Sequence, residues 1–169
     1  VVRRGKAGAR AYAVGDIHGR LDLLELLLAR IAEDWKARTE KKTYLVFLGD
    51  HIDRGPDSAG VVEGLRNYKP DFATPIFLAG NHEEVMLRVL HGEPDILRDW
   101  LKFGGAECLA SYGIDAAALT RMDPDKVVEL LRAKVPKAHV EFLDGFADTF
   151  RFGDYLFVHA GIRPGIPLA

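Results

Sequence analysis

Four short apolar runs in this chain each end in a cluster of glycine with carboxylate, amide or imidazole side chains. Ala11-Tyr12-Ala13-Val14 leads into Gly15-Asp16-Ile17-His18-Gly19, and Tyr44-Leu45-Val46-Phe47-Leu48 into Gly49-Asp50-His51-Ile52-Asp53-Arg54-Gly55. Pro75-Ile76-Phe77-Leu78-Ala79 leads into Gly80-Asn81-His82-Glu83, and Tyr155-Leu156-Phe157 into Val158-His159-Ala160-Gly161. Apolar runs of this length, bounded by turn formers, read as buried strands. In an open α/β sheet, groups at the carboxyl ends of neighbouring strands converge on one crevice. That crevice would hold Asp16, His18, Asp50, Asp53, Arg54, Asn81, His82 and His159. Carboxylate, imidazole and amide donors in one place are what a two-metal hydrolytic site needs.

Between the strands the apolar spacing becomes helical. Leu21, Leu24, Leu28, Ile31 and Trp35 mark one face of a first helix. Pro56-Asp57-Ser58 opens a second, with Asp57 or Ser58 as cap and Pro70 as its end. Glu83 to Leu90 predicts a third. Asp95 to Phe103 predicts a short helix closed by Gly104-Gly105, and Cys108 to Tyr112 a further helical stretch up to Gly113. Pro124 to Lys134 (capped by Asp123) and Pro136 to Leu143 read as two more, and Phe146 to Phe152 with Tyr155 to Val158 as a hairpin around Gly153-Asp154. The reading is one α/β domain over residues 1–169, with a helical insertion at about 95–143 that carries none of the four clusters.

Composition removes several classes. Lys+Arg (23) and Asp+Glu (25) nearly cancel, leaving a net charge of −2 and no electrostatic footprint for nucleic acid. The single Cys108 cannot form an internal disulfide and reads as a packed small residue. No apolar run approaches the ~20 residues of a membrane span. The basic start, Val1 to Gly8, lacks a hydrophobic signal core and an initiator Met. A soluble, reduced, cytoplasmic chain with no membrane partner is the expectation.

The residues themselves suggest a division of labour. In extended backbone Asp16 and His18, two apart, point to one side and can share one ion; the alternative is an Asp-capped turn with a solvated His. Asp50 has two oxygens and can bridge two cations ~3.5–4 Å apart. Arg54 offers a planar fork for phosphate oxygens, or else a surface ion pair worth at most about 1 kcal/mol. Asn81 supplies a usable oxygen. His82 cannot easily point at the ion its neighbour binds, so a proton donor or phosphate contact suits it better. His159 ends its strand where Ala160-Gly161 leave room. His51 reads as supporting or solvated, His91 and His139 as helix-end or surface residues, and Glu83 as a loop support.

The ordered set Gly15-Asp16-x-His18-Gly19, Gly49-Asp50-x-x-Asp53-Arg54-Gly55, Gly80-Asn81-His82-Glu83 and His159-Ala160-Gly161 resembles the calcineurin-like metallophosphoesterases. The intact Asp53-Arg54-Gly55 and Asn81-His82-Glu83 look like the phosphoprotein phosphatase branch, in its bacterial serine/threonine-phosphatase-like members. The resemblance implies a β-sandwich flanked by helices. It implies Asp16, His18 and Asp50 on metal 1, Asp50, Asn81 and His159 on metal 2, Arg54 on the phosphate, and His82, oriented by Asp53, as the acid for the leaving oxygen. The family carries a further His ligand to metal 2 after the His-Ala-Gly motif. The chain stops at Ala169 without one, so it reads as truncated at the C-terminus, and as a fragment that lacks activity if that ligand is essential.

The function implied is a phosphate-monoester hydrolase, a serine/threonine protein phosphatase, acting on a phosphoprotein or small phosphorylated substrate through attack of a hydroxide bridging two metals. Manganese leads the candidate ions, with iron, zinc or cobalt also suited to these donors. Hydrolysis of dinucleoside polyphosphates is the nearest rival; that branch often lacks the second carboxylate of the Asp-Arg-Gly motif, which Asp53 supplies here. A DNA nuclease fits the neutral charge poorly. A non-catalytic interaction module would have lost the acid His or the phosphate Arg, and His82 and Arg54 are both present.

Overall fold

The computed structural model describes residues 2–39 and 41–166, so Val1 and the Ala169 end lie outside the described residues. Three strands, β1 (Ala9–Val14), β2 (Lys42–Phe47) and β3 (Thr74–Phe77), form a parallel sheet in the order β1-β2-β3. The register pairs Val14 with Phe47 and Phe47 with Phe77, so all three strands end level and release their loops at one edge. The crossovers are α1 (Leu21–Lys36) and α2 (Ser58–Asn67). Asp57 caps α2, its side chain accepting from the Gly60 N–H at 2.8 Å. One core fills the space between sheet and crossovers: Val14, Leu24, Ile31, Leu45, Phe47, Val61 and Leu65. Burying each such side chain is worth about 1.5–3 kcal/mol.

Helix α3 (Asn81–His91) starts directly from the third cluster and ends at Gly92, whose φ of 113° suits a glycine stop. Five more helices follow: α4 (Leu97–Trp100), α5 (Ala106–Ser111), α6 (Ala116–Leu119), α7 (Pro124–Lys134) and α8 (Lys137–Asp144). They share a second core with α2 and α3 that includes Val62, Met86, Val89, Trp100, Leu109 and Leu131. Gly104, left-handed at φ 107°, breaks the helical run at the glycine pair, where the sequence places its end. The Leu101–Gly105 segment is the kink between α4 and α5. The helix α6 lies where the sequence offered only a short alanine run, and Asp115 caps it.

The last strands, β4 (Thr149–Phe152) and β5 (Tyr155–Val158), make an antiparallel hairpin separate from the parallel sheet. The hairpin packs against the parallel sheet through Tyr44, whose ring lies 5.4 Å from Phe150 and 6.0 Å from Phe152. Just before it, Ala147 pairs with β3, its N–H donating to the Phe77 carbonyl at 3.0 Å and its carbonyl accepting from Ala79 at 3.0 Å. The fourth cluster therefore reaches the crevice from a second sheet, not from a fourth parallel strand. Among the described residues no helix is long and apolar enough to cross a membrane.

Candidate active site

The first loop is tied to the second by backbone. The Ile17 and His18 N–H groups both donate to the Asp50 carbonyl at 2.9 Å, and Gly19 donates to His51 at 2.8 Å. These bonds bend the first loop, so His18 is left-handed (φ 46°) rather than extended. The extended-backbone argument for Asp16 and His18 is thereby replaced, although the two side chains still approach to 3.8 Å. Asp50 (φ 53°), Asp53 (φ 71°) and Arg54 (φ 65°) are left-handed too. Non-glycine residues held this way cost of order 1–3 kcal/mol each and persist where surroundings overdetermine them.

Glu83 supplies that surrounding. Its carboxylate is fully buried and accepts from the backbone N–H of Asp50 (2.9 Å), His51 (2.8 Å) and Gly80 (2.9 Å). Burial pushes this carboxyl up, but the His51 imidazole and these N–H donors outweigh it and hold the pKa down at about 2. The same acid closes the start of α3 as a capping residue. Gly80 is required by the closeness of the two loops: a Cβ there would fall 2.3 Å from the Asp50 nitrogen.

Asp50 stands at the centre. Its Oδ2 lies 3.8 Å from His18 Nε2, which is 3.8 Å from Asp16 Oδ2. Its Oδ1 lies 3.2 Å from His159 Nε2, which is 3.0 Å from Asn81 Oδ1. Each histidine gives its other nitrogen to a backbone carbonyl: His18 Nδ1 donates to Ile52 at 2.8 Å and His159 Nδ1 to Leu48 at 2.8 Å. That second bond fixes the tautomer and leaves Nε2 with a lone pair, the arrangement of a metal-binding imidazole. His18 Nε2 is buried with no hydrogen-bond partner among the described residues. The His159 lone pair faces two oxygens. Such donor sets are unfavourable among themselves and fit divalent cations. Two groups of ligand atoms converge closely enough to hold an ion, His18 with Asp50 and His82, and Asp16 with Asp50 and His159.

His82 is aligned from behind. Its Nδ1 lies 2.6 Å from Asp53 Oδ2, and the same oxygen accepts from Trp100 Nε1 at 2.7 Å. Asp53 is fully buried, and its N–H donates to Ser58 Oγ at 2.9 Å. Burial raises the Asp53 carboxyl, opposed by the His82 and Trp100 bonds. Arg54 is exposed at the crevice edge, its Nη2 3.3 Å from His82 Nε2. Trp100 is the residue that sequence reasoning missed: it lies 47 positions from Asp53, and a helical tryptophan reads as core.

The other candidates lie elsewhere. His51 is buried beneath the loop, its ring 5.2 Å from Phe146, so it is not solvated. His139 is buried between Tyr112 and Glu63, correcting its placement at the surface. His91 is exposed, 3.3 Å from Asp144. Cys108 is fully buried; burial, then the Asp53 carboxylate, push its thiol up and keep it protonated.

Comparison with known proteins identifies the family. The calcineurin-like phosphoesterase family profile matches residues 9–166, and the chain belongs to that family. A symmetrical bis(5'-nucleosyl)-tetraphosphatase of Dechloromonas aromatica (strain RCB) is 31% identical over 90% of the chain and 44% of its own length. Its counterpart in Acidovorax sp. (strain JS42) is 34% identical over 90% and 44%. Serine/threonine-protein phosphatase 1 of Salmonella typhimurium (strain LT2) is 36% identical over 64% of the chain and 46% of its own length. The chain thus spans less than half the length of these relatives. A crystal structure provisionally described as a diadenosine tetraphosphatase overlays 99% of the chain and 57% of its own, with a TM-score of 0.56 at 22% identity, and shares the fold. The chain is a metallophosphoesterase with a mixed α/β fold.

Proposed function

We propose that this chain forms the catalytic part of a hydrolase that cleaves dinucleoside polyphosphates at a two-metal centre. The observation that carries the chemistry is that the two oxygens of Asp50 approach two different imidazole nitrogens, Oδ2 that of His18 and Oδ1 that of His159. Asp16, His18 and Asp50 would hold one ion, and Asp50, Asn81 and His159 the other. Bound there, divalent ions supply Lewis acidity and water that ionises near neutral pH. The chain's own residues do the rest. Arg54 grips non-bridging phosphate oxygens through its planar fork. Asp53 accepts from His82 Nδ1 and so favours the imidazolium, the form in which Nε2 would carry a proton for the leaving oxygen. Arg54 Nη2 lies 3.3 Å from His82 Nε2, so the two groups are close enough to act on one phosphate. The similarity to symmetrical tetraphosphatases over 90% of the chain supports the substrate class.

One observation favours phosphate monoesters instead. A nucleoside diphosphate leaves readily, whereas a serine alkoxide needs a proton, and the buried Asp53–His82 pair is a device for giving one. Metal-loaded protein should be offered diadenosine tetraphosphate, p-nitrophenyl phosphate and a phosphoserine peptide. The proposal expects ADP as the product of the first and the highest kcat/KM for it. Turnover of the peptide with diadenosine tetraphosphate untouched would replace it with the monoester reading.

A further inference from the structure

Next to His82 the structure holds a cavity of about 410 Å³. Its lining includes the polar Arg54, His82 and Arg88 and the apolar Val85, Ile96, Trp100 and Phe103. The volume is at the small end of the ≈ 300–1,000 Å³ usual for small-molecule sites. It suits one aromatic ring system with part of its attached sugar, not two nucleosides. Phe103 is 63% exposed, a large aromatic face left in water at the rim. The turn Leu101–Gly105 holds it there. Gly104 accepts the Arg54 N–H at 3.0 Å, and a Cβ on Gly104 would fall 2.5 Å from the Arg54 nitrogen. One irregular turn therefore both docks on the phosphate-gripping arginine and presents Phe103.

We propose that this cavity binds the purine base of the departing nucleoside diphosphate, with Phe103 as the stacking face. The inference rests on the hydrolase reading above, because it uses His82 as the group that meets the leaving oxygen. The group that receives the proton leaves on the His82 side, and His82 lines the cavity. The apolar side chains in its lining suit the faces of a base, and Arg54 suits the diphosphate; Arg88, also in the lining, is paired with Glu93. Asp99 at the rim is paired with Lys102 at 2.8 Å, so it does not stand as a free carboxylate against that diphosphate.

The test compares ADP with pyrophosphate, the same anhydride without base and sugar, by calorimetry on metal-loaded protein. Wild type should bind ADP roughly 10-fold or more tightly than pyrophosphate, the usual scale of base–aromatic stacking. Phe103→Ala should lose that preference with pyrophosphate affinity unchanged, and Phe103→Tyr should keep it. Because Phe103 is exposed, the circular dichroism and melting temperature of Phe103→Ala should match wild type. Equal binding of ADP and pyrophosphate by wild type overturns the base site, as does a Phe103→Ala variant that retains the preference. If diadenosine tetraphosphate is hydrolysed while the preference is absent, the base site fails and the hydrolase reading stands. If ADP is preferred through Phe103 while diadenosine tetraphosphate is not cleaved, the substrate reading fails and the base site stands. A phosphopeptide with an apolar flank that binds through Phe103 while ADP does not would assign the cavity to a peptide.

Discussion

Asp50 and His82 sit within 3.8 Å of each other yet are asked to do different things. Asp50 offers both oxygens to imidazole and amide neighbours, so removing its charge should leave two cations poorly screened from each other. Asp50→Asn is expected to lose more bound metal than Asp53→Asn when the two are compared by elemental analysis; the reverse order would exchange the roles of the carboxylates. His82 has its Nδ1 bound to Asp53 and its Nε2 beside Arg54. His82→Ala should therefore keep most of its metal while turnover falls by ~10²-fold or more. The loss should be smaller for p-nitrophenyl phosphate, whose leaving group needs little protonation, than for an alkyl phosphate. An equal loss on both, or loss of metal, would remove His82 from the acid role.

At the scale of elements, the site is two strained loops held by the first turn of α3. Four backbone N–H groups, those of Asp50, His51, Ile52 and Gly80, point at the Glu83 carboxylate. Glu83→Ala would leave these buried donors without an acceptor, at ~1–3 kcal/mol for each one unsatisfied. The expected loss is about 3 kcal/mol or more in denaturant unfolding, and Glu83→Gln, which keeps one acceptor oxygen, should lose less. An unfolding free energy for Glu83→Ala within 1 kcal/mol of wild type would show that the loops hold themselves. Strands and loops of this frame were legible because apolar runs and glycine-acid clusters act locally. The left-handed turn at His18 was not, since it is set by the Asp50 carbonyl on another loop. The break at Gly104-Gly105 was legible, because paired glycines ordinarily stop a helix, but its docking on the Arg54 N–H was not. The hydrogen bond from Trp100 to Asp53 depends on how the later helices pack against α2 and α3, which no local spacing encodes.

At the scale of the whole molecule, the described residues include an apolar face of α1 left in water. Helix α1 is leucine-rich on more than one side. Leu24 and Ile31 are buried on the sheet, while Leu23 (50%), Leu26 (61%) and Leu27 (40%) are exposed. A helix apolar on most of its circumference is ordinarily covered on both sides. Leu23 and Leu27 also border a groove that runs past Gly15 and Asp16, so this face adjoins the first cluster. Contiguous exposed apolar surface of this kind favours association. Replacing Leu23, Leu26 and Leu27 together by Gln should leave the unfolding free energy within about 1 kcal/mol, since each exposed substitution typically changes it by no more than ±0.5 kcal/mol. It should also lower dye binding to apolar surface and abolish concentration-dependent light scattering. If the triple variant instead loses several kcal/mol, the leucines contribute to folding of this chain by a contact that their exposure does not reveal. Unchanged scattering would locate the adhesive surface elsewhere, with the exposed Ile162 and Ile166 beyond β5 the next to replace.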